Sequence, residues 1–119
     1  MGKSILKEKS YAFAIRTVRL AQFLRKTKRE FVLSGQILRS GTSIGSQVRE
    51  AEFGQSKADF VSKMTIALKE ANETEYWISI LSDTDYIDDM MHKSLRSDCN
   101  ELIALLVATV KTAKNQCPK

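Results

Sequence analysis

The chain reads as all-α, an up-down antiparallel four-helix bundle, and three features of its 119 residues carry that prediction. Apolar residues recur every three or four positions in four segments, the spacing that gathers them on one face of a helix. Hydroxyl and acidic start signals punctuate those segments. The only proline is Pro118, so nothing in the body forbids a long helix. With 43% hydrophobic residues and no low-complexity tract, the length suits one domain over 1–119.

Helix 1 is expected over about 4–26. Leu6, Phe13, Leu20 and Leu24 form its main stripe, while Tyr11, Ile15 and Val18 form a second on nearly the opposite side. Helix 2 is expected over about 29–53, opened by the capping-box pattern of Thr27 to Glu30 and closed before Gly54. Its stripe is Leu33, Ile37, Gly41, Ile44, Val48 and Ala51. Helix 3 is expected over about 57–82, opened by Ser56 to Asp59, with Phe60, Met64, Ala67, Ala71 and Ile78 inward. Ile66, Tyr76, Trp77 and Ile80 fall away from that stripe. Helix 4 is expected over about 86–115, with Asp83 or Asp85 as its cap and Asp88 and Asp89 in its first turn. Met91, Leu95, Leu102, Leu106 and Val110 give its inner face.

A four-helix monomer needs about one apolar face per helix. The second faces of helices 1 and 3 therefore call for another burial partner, and a further copy of the chain is the simplest one. A homo-oligomer is the expectation.

Reactive groups are sparse. His92 is the single histidine and has no ligand-spaced neighbour, so no metal site is expected. His92 and Cys99 lie seven residues apart, about 10 Å along a helix, too far for a nucleophile and its base. No metalloprotease, serine-hydrolase or P-loop motif occurs. The expectation is no enzyme, no catalytic residue and no cofactor. Cys99 and Cys117 fit a reducing cytoplasm better than a disulfide framework. No run approaches the ~18 apolar residues of a membrane span, and the start lacks a long apolar leader. A membrane partner is not expected.

The stretch "LRSGTSIGSQVREAEFG" could suggest a phosphate cradle. A P-loop would need a lysine and a hydroxyl after its last glycine, and a preceding strand. Ser46 and Gln47 stand there instead, and Gly41 falls on the apolar stripe. Gly41 and Gly45 are therefore read as sites where two helices approach closely. Glu75 projects toward the apolar side of helix 3, a core carboxylate that requires a partner.

Charge is polarised along the chain, whose net charge is +5. Residues 1–30 are strongly basic and residues 70–101 strongly acidic. Lys9, Arg16, Arg19 and Lys26 share one arc of helix 1 with Phe23 among them, and Arg25, Lys28, Arg29, Arg39 and Arg49 extend the set. Cations interleaved with an aromatic suit RNA or DNA. The alternative is that basic and acidic ends of neighbouring subunits neutralise each other in a pure assembly protein, with or without a protein partner.

"LRSGTSIGSQVREAE" followed by "SKADFVSKMTIALKEANETEYWISIL" resembles the 23S rRNA intervening-sequence protein family. The likeness runs from "YAFAIRTVRLAQFL" to "NELIALLVATVKTAKN". It implies a small bacterial four-helix bundle that assembles as a pentameric ring. A related branch, the accessory variability protein of diversity-generating retroelements, is a basic pentamer that works with a reverse transcriptase and nucleic acid. Many members carry Ser-Ile-Pro-x-Asn-Ile-Ala-Glu-Gly in helix 2. Ser43, Ile44 and Glu50 match it, whereas Gly45, Gln47, Arg49 and Ala51 depart from it. The resemblance implies no enzymatic residue.

Overall fold

In the computed structural model, which describes residues 2–115, the chain forms four α-helices. They are α1 (Gly2–Lys26), α2 (Leu33–Glu52), α3 (Lys57–Asp83) and α4 (Asp89–Asn115). Short connections turn each helix back along its predecessor. The resulting bundle measures 51 × 21 × 21 Å. Helices α1 and α2, α2 and α3, and α3 and α4 pack closely, and α1 closes the ring more loosely on α4. The diagonal helices α1 and α3 do not pack on each other, which places them on opposite sides. Cys117 and Pro118 lie outside the described residues.

The inner stripes read from the sequence form the core. Leu6, Phe13, Leu20 and Leu24 meet Ile37, Ile44 and Val48, then Met64, Ala67, Ala71 and Ile78, then Leu95, Leu102 and Leu106. Each fully buried aliphatic side chain of this kind is worth about 1.5–3 kcal/mol over an exposed one. The buried hydroxyls and the Glu30 carboxylate are all hydrogen-bonded, whereas Gln47 Oε1 is buried without a partner among the described residues. Thr74 and Ser40 share a hydrogen bond of 2.8 Å between α3 and α2.

Two helix starts differ from the sequence expectation. Helix α2 begins at Leu33, not near 29, because the Thr27–Glu30 pattern belongs to the end of α1. Thr27 N–H donates to Phe23 O at 2.9 Å, and Arg29 then turns into the left-handed region with φ 56°. Glu30 folds inward, and its carboxylate accepts from the N–H groups of Val32, Leu33 and Ser34 at 3.0, 2.8 and 2.8 Å. A glutamate before the helix thus satisfies donors that would otherwise lack partners.

Helix α4 begins at Asp89, three residues later than expected. Its cap is Asp88, whose Oδ1 accepts from Met91 N–H at 2.8 Å. Asp85 instead closes α3, with φ 67° in the position glycine usually holds. Tyr86 N–H bonds back to Leu81 O and Asp85 N–H to Ser82 O, the paired bonds of a Schellman ending. The Ser56 cap of α3 is as expected: Ser56 Oγ accepts from Asp59 N–H at 3.0 Å. Gly54 makes room there, since a β-carbon would lie 2.9 Å from Asp59 Oδ2.

Candidate assembly and nucleic-acid surfaces

The seam between α1 and α2 is built on small residues. A β-carbon at Gly41 would lie 2.5 Å from Thr17 Cγ2 and Oγ1, and one at Gly45 would lie 3.2 Å from Ser10 O. Thr17 Oγ1 donates to Phe13 O at 2.8 Å and Ser10 Oγ to Lys7 O at 3.2 Å, so both hydroxyls are satisfied within α1. Both glycines lie inside a helix, where backbone N–H groups are engaged and cannot cradle a phosphate. Outside the seam runs an open groove of about 660 Å³, bounded by Lys7, Tyr11, Ala14, Thr42, Gly45 and Arg49.

Two apolar faces remain uncovered. On α1, Ile5, Tyr11, Ile15 and Val18 are exposed, Tyr11 by 62%. On α3, Ile66 and Tyr76 are exposed, while Trp77 and Ile80 are half-buried. Trp77 stacks edge-on to Tyr76 with centroids 5.1 Å apart, and its indole N–H donates to Glu73 at 3.0 Å. Because α1 and α3 are diagonal, the two faces look away from each other.

The nine basic residues singled out in the sequence do not form one free stripe. Lys9 pairs with Glu101 at 3.2 Å and Arg16 with Asp98 at 2.8 Å, across the loose α1–α4 edge. Arg16 also donates to Ser94 O at 3.3 Å. Arg39 grips Glu70 at 3.2 Å and also Glu73. Arg25 Nε donates to Ser34 Oγ at 3.0 Å beside the Glu30 carboxylate. Among the described residues, Arg19, Lys26, Lys28, Arg29 and Arg49 make no ion pair. Lys28 Nζ sits 5.9 Å from the Phe23 ring centre, and the Arg29 guanidinium 5.8 Å from that of Phe31.

Glu75 is not a core carboxylate. It is half-buried at the α3–α4 edge, where Ser79 Oγ donates to it at 3.1 Å and Arg96 Nε lies 3.9 Å away. A long side chain at the margin of an apolar stripe can bend to solvent, and Thr74 takes the buried position beside it. Cys99 is fully buried, its Sγ 3.3 Å from Ala71 O. Burial, with the charges of Glu75 and Asp98, pushes its thiol up to about 12. His92 is half-buried, and no group of His, Cys, Asp and Glu that could hold a metal occurs among the described residues. No described helix is long and apolar enough to cross a membrane.

Sequence reasoning missed the capping role of Glu30 and the ion pairs of Lys9, Arg16 and Arg39. The first left a faint trace, an acid before an apolar run. The others join residues distant in sequence and left none. Phe31 and Val32, 60% and 74% exposed at the α1–α2 turn, were also overlooked, although two apolar residues beside Lys28 and Arg29 are visible in the sequence.

The family model for the 23S rRNA-intervening sequence protein matches residues 3–108. The chain is also similar to a protein of unknown function from the S23 ribosomal protein family of Bacteroides thetaiotaomicron, known from a crystal structure. The two share 51% identity over 93% of this chain and 99% of that one, with a TM-score of 0.92. No curated protein matches. The chain belongs to the 23S rRNA-intervening sequence protein family.

Proposed function

We propose that this family member is a non-enzymatic cytoplasmic bundle that assembles with copies of itself and offers its unpaired basic residues to RNA or DNA. The observation that carries the reading is the pair of uncovered apolar faces, Tyr11–Ile15–Val18 on α1 and Ile66–Tyr76 on α3. Apolar surface removed from water is worth roughly 25 cal/mol per Å². Two different faces on opposite sides favour a head-to-tail contact, the α1 face of one copy on the α3 face of the next. Such a contact closes into a ring when the rotation between copies allows. The resemblance gives five copies as the expected number.

The nucleic-acid part rests on Arg19, Lys26, Lys28, Arg29 and Arg49, which make no ion pair among the described residues. Each phosphate neutralised releases counterions, so affinity should fall steeply with salt. Anisotropy titrations of labelled RNA and DNA at several salt concentrations test it. Binding that weakens in Arg19→Gln/Arg49→Gln supports the reading; no binding even at low salt contradicts it.

One observation favours the second reading, an assembly protein with no nucleic-acid ligand. The basic turn around Lys28 adjoins the acidic turn at Asp85 and Asp88, and both line one depression of about 260 Å³. Opposite charges grouped in this way can serve contacts between subunits. On that reading high salt lowers the mass of the assembly and nucleic acid is not bound.

A further inference from the structure

The α1–α2 turn exposes two large apolar residues, Phe31 and Val32, beside two cations. Arg29 holds a left-handed backbone conformation, φ 56°, that glycine would adopt at less cost, so the turn keeps a cation where a smaller residue would be easier. The one acid of the turn, Glu30, is withdrawn into the cap of α2 and is 8% exposed. What faces outward is Lys28, Arg29, Phe31 and Val32. The guanidinium of Arg29 stands over the Phe31 ring at 5.8 Å, so a planar cation and an aromatic ring form one exposed platform. Arg25 and Lys26 lie just behind it in the last turn of α1.

We propose that this turn binds single-stranded nucleic acid, with a base stacked on the Phe31–Arg29 platform and phosphates met by Lys26 and Lys28. The inference rests on the nucleic-acid part of the function proposed above. Aromatic rings beside cations bind single strands because every unpaired base offers a flat face. The acidic neighbour argues against a duplex. A rigid double helix laid across this end would carry its second phosphate rail toward Asp85 and Asp88, which adjoin Lys28. A flexible strand can follow the basic turn alone.

The test is anisotropy with short oligouridylate, oligothymidylate and a duplex of equal length, using the full chain. The wild type is expected to bind either single strand more tightly than the duplex. Phe31→Ala is expected to weaken single-strand binding roughly 5- to 150-fold, as the loss of one stacked base would. Its slope of log affinity against log salt stays unchanged, because no charge is removed. Lys28→Gln should instead lower that slope by about 0.7. Phe31 is exposed, so circular dichroism and light scattering of Phe31→Ala should match the wild type. Wild-type affinity in Phe31→Ala, or tighter binding of the duplex, overturns the site. So does a changed assembly mass in Phe31→Ala, which would make the turn a subunit contact. If Phe31→Ala binds normally while Arg19→Gln/Arg49→Gln does not, the general nucleic-acid reading stands and this site falls. If the wild type binds no strand at low salt, both fall.

Discussion

Gly41 on α2 lies so close to Thr17 on α1 that a β-carbon there would stand 2.5 Å from both branches of the threonine. Thr17 cannot easily yield, since its hydroxyl is bonded to Phe13 O and the residue is buried. Glycine at this point is a packing requirement, although it costs helix stability by itself.

Gly41→Ala is therefore expected to destabilise by about 1–3 kcal/mol, the usual range for overpacking, despite alanine's better helix propensity. Gly41→Leu should do worse. Adding Thr17→Ala removes two of the three close atoms and should restore part of the loss. Gly35→Ala is the control: its β-carbon would meet only Arg25 Nη2, at 3.8 Å, and should gain about 0.5–1 kcal/mol. Urea midpoints of the four variants check the order. Equal midpoints for Gly41→Ala and wild type would contradict it.

Glu30 governs the start of α2. Burial raises its carboxyl, but the N–H groups of Leu33, Ser34 and Val32, aided by the Arg25 charge, outweigh that and hold it below the ordinary carboxylate value. A carboxyl lowered on folding stabilises the fold above its unfolded pKa, and the contribution fades as pH falls through the folded value. Glu30→Ala should cost about 1–2 kcal/mol near neutral pH, the scale of a lost helix cap. The difference from wild type should shrink in acid. Stability measured against pH for both proteins decides it, and a gap that stays constant down to low pH would refute the assignment.

Cys99 should be inert while the protein is folded. Its thiol is buried and pushed up to about 12, so almost no thiolate exists near neutral pH. In a Cys117→Ser background, a thiol reagent should react with Cys99 only after denaturant is added. Fast reaction of the folded protein would place Cys99 in a looser core than the one described.

The α1–α4 edge is joined at its surface by Lys9–Glu101 and Arg16–Asp98. Both pairs are partly solvated, and such pairs contribute about 0–1 kcal/mol. Arg16→Ala should shift stability by no more than that, with the effect shrinking in salt. A larger loss in thermal denaturation would mean that the edge depends on Arg16 for packing.

The fold was largely legible because helical period leaves a mark at every third or fourth residue. Ile37, Ile44 and Val48 announce one face, and Gly41 on that face announces a close neighbour. Helix starts were less legible. Asp83, Asp85, Asp88 and Asp89 are chemically equivalent as caps, and only the left-handed turn at Asp85 selects Asp88. Thr27 and Glu30 fit a capping box, yet Arg29 turns between them. The surface resisted most. Arg16 and Asp98 lie 82 positions apart, so a residue read as a free cation acquires a partner that only tertiary packing brings near. The second apolar faces of α1 and α3 were readable as residues without a place in one core.

The central claim is that these two faces join copies of the chain head to tail, and light scattering of two variants tests it most directly. Ile15→Asp spoils the α1 face and Tyr76→Asp the α3 face, both at exposed positions that should leave the bundle folded. The wild type is expected to be oligomeric, each variant alone monomeric, and an equal mixture of the two dimeric, since one intact face of each kind remains between them. A monomeric wild type, or variants that assemble as the wild type does, would contradict the account.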